Sequence, residues 1–130
     1  MAVEDNMNIY EPTEDDILTW AYSADPKWPA SDWDFYVLCG PHDSLVIKLA
    51  NDENCPKNKF FLHALYYFVG DTFNRSAISQ DRIDRIKRML LLVGDDSSQD
   101  VLIWKKSVQQ LLTSELKFDP EKWLHFLFNP

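Results

Sequence analysis

Apolar residues recur at helical spacing along most of this chain, and most recurrences begin beside a residue suited to cap a helix. Thr13-Glu14-Asp15-Asp16 reads as an N-cap with an acidic first turn, opening a helix through Ile17, Leu18, Trp20 and Ala21 that Asp25-Pro26 ends. Ser31-Asp32-Trp33-Asp34 repeats the signature. The helix it starts is expected to stop at Cys39, with Gly40 in the left-handed C-terminal conformation and Pro41 unable to continue. A third helix, Asp43 to Ala50, sets Leu45 and Leu49 one turn apart, and Asn51 to Asn54 forms a polar connector. Pro56 suits a first helical turn, after which Phe61, Leu62, Leu65, Phe68 and Val69 keep a period of 3.6. Phe60, Ala64 and Tyr67 are apolar too, so this helix is expected to be central and wetted on little of its circumference.

Ser79 caps a fifth helix in which Ile83, Ile86, Leu90 and Val93 face inward and Gly94 closes the end. Asp81 with Arg85 and Asp84 with Arg88 form acid-before-base pairs on its solvated face, each contributing about 0.2–0.5 kcal/mol. Ser97-Ser98-Gln99-Asp100 opens a sixth helix through Val101, Trp104, Val108 and Leu111, and Asp119-Pro120-Glu121 a seventh carrying Trp123, Phe126 and Leu127. No segment of comparable length alternates with period two, and there is no Asn-Gly or Asp-Gly hairpin signal. The fold class is therefore all-α, a compact irregular bundle of about seven short helices, with stacked helix pairs as the alternative. Residues 1–11 read as a loose N-terminal tail on a single helical domain spanning 1–130.

Composition narrows the classes further. With 45% hydrophobic residues, eight Phe, five Trp and five Tyr, the chain has the apolar side chains for a packed core and lies away from disordered sequences. No apolar run approaches the roughly 18 residues of a membrane span. The acidic start Met1-Ala2-Val3-Glu4-Asp5 lacks the pattern of a secretory signal, so a cytoplasmic protein is expected. Two cysteines, Cys39 and Cys55, are too few for a disulfide framework; reduced thiols are expected, with one bridge between them as the alternative.

Candidate chemistry is sparse. Cys39-Gly40-Pro41-His42 has a C-x-x-H spacing, but a second zinc-ligand pair would need Cys55 and His63, too far apart on one helical segment for the usual close pairing, so no metal is expected. Cys55 with His63, near Lys57 and Lys59, is the one candidate for a thiol nucleophile and base, although a capping cysteine explains it as well. Asp15-Asp16, Asp32 with Asp34, Asp52-Glu53 and Asp95-Asp96 could supply acid and base; most sit where helix N-termini favour negative charge without catalysis. Gly40, Gly70 and Gly94 are too dispersed to cradle a phosphate, and a net charge of −8 repels nucleic acid. No catalytic residue and no cofactor is assigned.

The charge is lopsided. Residues 1–54 hold twelve acids and two bases, Lys27 and Lys48, for a net of −10, whereas residues 55–130 hold nine acids and eleven bases, for a net of +2. Helix capping accounts for part of the acids but does not require the near absence of lysine and arginine beside them. In the same half, Trp20, Tyr22, Trp28, Trp33, Phe35 and Tyr36 fall within seventeen residues, more rings than one small core readily absorbs. Aromatic anchors within a charged rim suit a protein interface. The expected surface comprises Asp15, Asp16, Trp28, Asp32, Trp33, Asp34, Tyr36, Asp43, Asp52 and Glu53, with Trp28 the leading exposed ring. The plainer alternative is that the rings fill the corner between the first two helices and the acids form a solubilising face. A surface of this kind fits a basic protein such as a nuclease, whose substrate cleft it could occupy.

At Cys55-Pro56-Lys57, Phe61-Leu62-His63, Leu65-Tyr66 and Val69-Gly70-Asp71, with Phe118-Asp119 and Trp123 near the C-terminus, the chain resembles small helical bacterial proteins encoded beside polymorphic toxins. These are the immunity proteins of contact-dependent growth inhibition systems. The resemblance implies a stable one-to-one complex with a cognate toxin domain. Immunity proteins share no common fold, so it assigns no residue roles. The leading expectation is thus a monomeric, non-enzymatic inhibitor of a basic toxin, binding neither membrane nor nucleic acid. The rivals are an adaptor or regulatory subunit of a larger complex, and an enzyme using Cys55.

Overall fold

The computed structural model describes residues 9–114 and 117–123. It is all-α, with α1 (Glu14–Ala21), α2 (Trp33–Cys39), α3 (Asp43–Asn51), α4 (Asn58–Phe73), α5 (Gln80–Leu91) and α6 (Gln99–Leu112). A seventh helix opens at 120–123, and no strand occurs among the described residues. The chain divides into two compact units, Met1–Ala64 and Leu65–Pro130, whose boundary falls inside α4.

In the first unit α1 starts on a complete capping box. The Thr13 hydroxyl accepts from the Asp16 N–H at 3.2 Å, and the Asp16 carboxylate accepts from the Thr13 N–H at 2.9 Å. Together they satisfy two of the donors that a helix start leaves unpaired. The helix buries Ile17, Trp20 and Ala21. Trp20 is the hub of this core, meeting Trp33, Phe60 and Phe61 edge to face at centroid distances of 5.7, 4.8 and 6.0 Å. Such pairs contribute about 0.5–1.5 kcal/mol each beyond their buried area. The indole N–H of Trp20 donates to the Lys27 carbonyl at 3.0 Å.

The far end of α1 is closed by a side chain from the turn just before α4. The Lys57 ammonium donates to the carbonyls of Trp20 and Ser23 at 2.7 and 2.6 Å and to the Ser23 hydroxyl at 2.9 Å, and it lies 4.7 Å over the Trp20 ring. Carbonyls at a helix C-terminus have no intrahelical donor, and a cation there also meets the negative end of the dipole. Burial pulls the Lys57 pKa down from its ordinary value.

α2 buries Trp33, Val37 and Leu38, and α3 buries Leu45, Val46, Ile47, Leu49 and Ala50. The expected left-handed stop after α2 is not used: Gly40 has φ −94° and ψ −174°, an extended backbone. Glycine is needed there for another reason. A Cβ at this position would lie 2.9 Å from Nε2 of His42, so only a residue without a side chain admits the buried His42 ring.

In the second unit α4 buries Leu65, Tyr66, Phe68, Val69 and Thr72, whereas Tyr67, expected among the dry positions, is exposed. The Trp123 indole lies on Gly70, where a Cβ would meet its Cδ1 at 2.8 Å, and its N–H donates to the Tyr66 carbonyl at 2.7 Å. Ser79 and Ser98 cap α5 and α6 by accepting from Arg82 N–H and Val101 N–H. The inward positions Ile86 and Leu90 of α5 and Val101, Trp104, Val108 and Leu111 of α6 are buried. Gly94 does not close α5 with a left-handed turn, since no glycine has positive φ. Instead the N–H groups of Leu92 and Val93 turn back to the carbonyls of Met89 and Leu90, and the Lys105 ammonium takes the Val93 carbonyl at 2.8 Å. The left-handed residue is Ser114, φ 63°, just past the end of α6. Asp119 caps the opening turn of the seventh helix by accepting from Glu121 N–H at 3.0 Å; Phe126 and Leu127 lie outside the described residues.

Candidate protein-binding surface

Divided at the structural boundary, the charge asymmetry takes a simple form. Residues 1–64 hold twelve acids and four bases, a net of −8, and residues 65–130 hold nine of each. The whole formal charge of the chain thus belongs to the first unit.

Of the four bases, Lys57 is committed to backbone carbonyls and does not neutralise a carboxylate. Among the described residues, Asp15, Asp16, Asp32, Asp34 and Glu53 make no ion pair with lysine or arginine; the pairs that Asp71 makes with Arg75 (3.0 Å) and Arg82 (2.9 Å) lie in the second unit. Unpaired carboxylates on one unit add their potentials, which attracts and orients a cationic partner.

The acids differ in what holds them. Asp15 is exposed on the first turn of α1, and Asp16, half-buried, serves the capping box. Asp32 precedes α2, exposed and making no side-chain cap. Asp34 is half-buried and accepts from the Phe35 N–H at 3.0 Å; desolvation pushes its carboxyl above the usual range, against the pull of that bond. Asp43 sits half-buried in the first turn of α3. Past the other end of α3, Asp52 accepts from the Tyr22 hydroxyl and from the Asn54 N–H at 2.9 Å, with exposed Glu53 beside it. The hydrogen bond from Tyr22 holds the Asp52 carboxyl below its usual range, and the same bond raises the Tyr22 hydroxyl to about 12.

The rings expected at the surface separate into two groups. Trp33 is fully buried at 0% exposure and packs on Trp20, so it cannot touch a partner and leaves the expected surface. Trp28 is 43% exposed and stands edge-on to Phe60 at 5.1 Å. Tyr36 is half-buried within a row of rings, Tyr10 on one side at 5.2 Å and Phe35 on the other at 5.7 Å. Sequence reasoning missed Tyr10, Tyr22 and Phe35, all exposed. Phe35 was detectable: with Trp33 and Val37 inward at i and i+4, it falls on the opposite side of α2. Tyr10 had no such signal, since it belongs to the segment read as a loose tail. Contacts thus gather Asp32, Asp34, Phe35, Tyr36 and Tyr10 into one neighbourhood, and Tyr22, Asp52 and Glu53 into another.

Beside the ring row lies a cleft of about 500 Å³, lined by the Tyr10–Thr13 segment, Tyr36 and Gly40–His42. Its walls are tied together: Nε2 of His42 is hydrogen-bonded to the Pro12 carbonyl at 2.9 Å. The second unit has a smaller cavity of about 260 Å³, lined by Tyr67, Gly70, Asp71, Asn74, Phe118, Pro120 and Trp123.

For catalysis or metal binding the arrangement offers little. The Cys55 thiol is free, buried and directed at the Ala21 carbonyl at 3.5 Å, and desolvation pushes its pKa up, the reverse of what activates a thiol. Burial, and then Lys59, lower the pKa of half-buried His63. The Cys39 side chain lies outside the described residues. No group of three or more metal-ligating side chains, and no helix long and apolar enough to cross a membrane, occurs among the described residues. Compared with family descriptions, curated proteins and solved structures, the chain matches none.

Proposed function

We propose that this chain is an immunity or inhibitor protein that neutralises a basic toxin domain, a nuclease by preference, through the acidic and aromatic surface of residues 1–64. One observation carries the reading: the full net charge of −8 lies in that unit, on carboxylates of which several have no basic partner among the described residues. Carboxylates that neither cap a helix nor join an ion pair contribute nothing evident to folding, and like charges held together on one unit disfavour it slightly. A basic substrate-binding cleft is the complementary surface, and exposed rings beside the acids supply contact area at low entropy cost.

The test is association of the purified chain with any toxin domain found encoded beside its gene, followed by stopped flow across a salt series. Stoichiometric one-to-one inhibition is expected, with an association rate that falls steeply as salt rises. Asp32→Lys combined with Asp34→Lys should slow association at least tenfold at low salt and flatten its salt dependence, as steered association predicts. Unchanged kinetics at low salt would overturn the reading, and several weak partners in place of one tight partner would identify an adaptor instead.

A further inference from the structure

We propose that the cavity of the second unit binds the amino-bearing base of a free nucleoside or nucleotide, with Asp71 and Asn74 as its hydrogen-bonding partners and Phe118 and Trp123 as apolar walls. The inference does not depend on the reading of residues 1–64. Two polar groups on the lining have bonding capacity left over. Asp71 accepts from Arg75 and Arg82 at 3.0 and 2.9 Å, and both bonds fall on the same oxygen, Oδ2. Oδ1 makes no hydrogen bond among the described residues, and neither does the side-chain amide of Asn74. The Asn74 N–H still donates to the Gly70 carbonyl at 2.9 Å, so helical spacing holds to this point and sets the two side chains, three positions apart, on one face.

Charge and size decide what satisfies them. A ligand cation would meet the two guanidiniums that already neutralise Asp71, and a ligand anion would meet Asp71 itself. A purely apolar ligand would cover both groups and leave them unpaired. A neutral group that donates to a carboxylate oxygen and accepts from an amide N–H fits, and an exocyclic amine beside a ring nitrogen, as on adenine, is such a pair. The cavity's volume of about 260 Å³ is below the roughly 300–1,000 Å³ of pockets for drug-sized ligands, so it takes one ring system and leaves sugar and phosphate outside. Aromatic side chains are the usual apolar partners of a base. The walls are also fixed in advance: Trp123 by its bond to the Tyr66 carbonyl and its seat on Gly70, and Phe118 by stacking on Phe73 at 6.1 Å. With Asp71 held by its arginines, little ordering remains to be done on binding.

The experiment adds adenosine, purine riboside, adenosine monophosphate or a short oligodeoxyadenylate to the full chain and follows calorimetry together with backbone and side-chain amide shifts. Adenosine is expected to shift Gly70, Asp71 and the side-chain amide of Asn74, and adenosine monophosphate to bind about as well. Purine riboside lacks only the exocyclic amine and should bind at least about tenfold more weakly, the size of one hydrogen bond to a charged acceptor. Asn74→Ala should weaken adenosine about threefold or more, and Asn74→Asp, which keeps the shape but loses the donor, at least as much. The Asn74 side chain has no partner among the described residues, so neither variant should change the thermal midpoint. Absence of shifts with adenosine, equal binding of adenosine and purine riboside, or indifference to both Asn74 variants would each overturn the site. A strand that binds more tightly than adenosine would overturn the assignment to a free base.

Discussion

The two units use the same device to end a helix and differ in how some of their charges are used. In residues 1–64, Lys57 closes the C-terminus of α1; in residues 65–130, Lys105 closes the turn after α5. A lysine reaching back from a later segment of the chain is a structural solution common to both. The acids diverge. Asp71 gathers Arg75 and Arg82, and the guanidiniums of Arg82 and Arg85 lie 4.6 and 4.7 Å over Phe68, so these four charges of the second unit are knitted into its packing. In the first unit Asp16 and Asp52 have local partners, whereas Asp15, Asp32 and Glu53 are exposed and make no ion pair among the described residues. Charge that folding does not employ is the charge open to recognition.

The largest test of this contrast removes one fully buried indole from each unit. Trp33 and Trp104 are both fully buried, and replacing either by alanine should cost about 3–5 kcal/mol in urea denaturation. Trp33→Ala must then act through stability, and its effect on partner binding should vanish once the folded fraction is accounted for. A binding defect in the fully folded variant would return Trp33 to the surface. The next effect compares the clamps. Lys57→Met removes three hydrogen bonds and should cost about 1–2 kcal/mol, discounted for partial exposure, whereas Lys105→Met removes one and should cost under about 1 kcal/mol. Equal losses would mean that the extra bonds of Lys57 contribute no net stability.

The smallest effect is a difference in pH dependence. Asp52 titrates below its unfolded value of about 3.9, so the stability it contributes is present above that pH and is lost as pH falls through the folded pKa. Tyr22 titrates at about 12, above its unfolded value near 10, so its contribution is present below pH ~10 and is lost as pH rises through the folded value. The stability gap between the native chain and Tyr22→Phe should therefore close at both ends of the scale. Partial burial works against ionisation of Asp71, but the hydrogen bonds and charges of Arg75 and Arg82 outweigh it and hold its carboxyl low. The gap for Asp71→Asn should close only in acid, because guanidinium does not titrate. Stability measured from pH 2 to 11 separates one-limbed from two-limbed behaviour.

Helix starts were legible in the sequence because a cap is a local event: Thr13, Ser79, Ser98 and Asp119 each accept a backbone N–H two or three residues on. Helix ends were less so. Gly40 and Gly94 carry the usual mark of a left-handed stop, yet one makes room for a histidine ring and the other follows a helix closed by turn bonds and a distant lysine. Ser114, which does adopt the left-handed conformation, carries no such mark. The candidate surface shows the same limit. A dense aromatic window was visible at Trp20 to Tyr36, but dividing it into buried Trp20 and Trp33 and exposed Tyr22, Trp28 and Phe35 depends on the phase of α2 and the path of the loop. The cleft depends on Tyr10 meeting Tyr36, 26 positions later in the sequence, a pairing no local pattern announces.

The seating of the Trp123 indole on Gly70 constrains how this chain can diverge. A methyl group at position 70 and a full indole at position 123 cannot coexist without one giving way, so the two positions must drift together: an alanine at one calls for a smaller ring at the other. The same holds for Gly40 and His42. Changes at either pair are thus expected to come linked, a small ring entering wherever a glycine is lost.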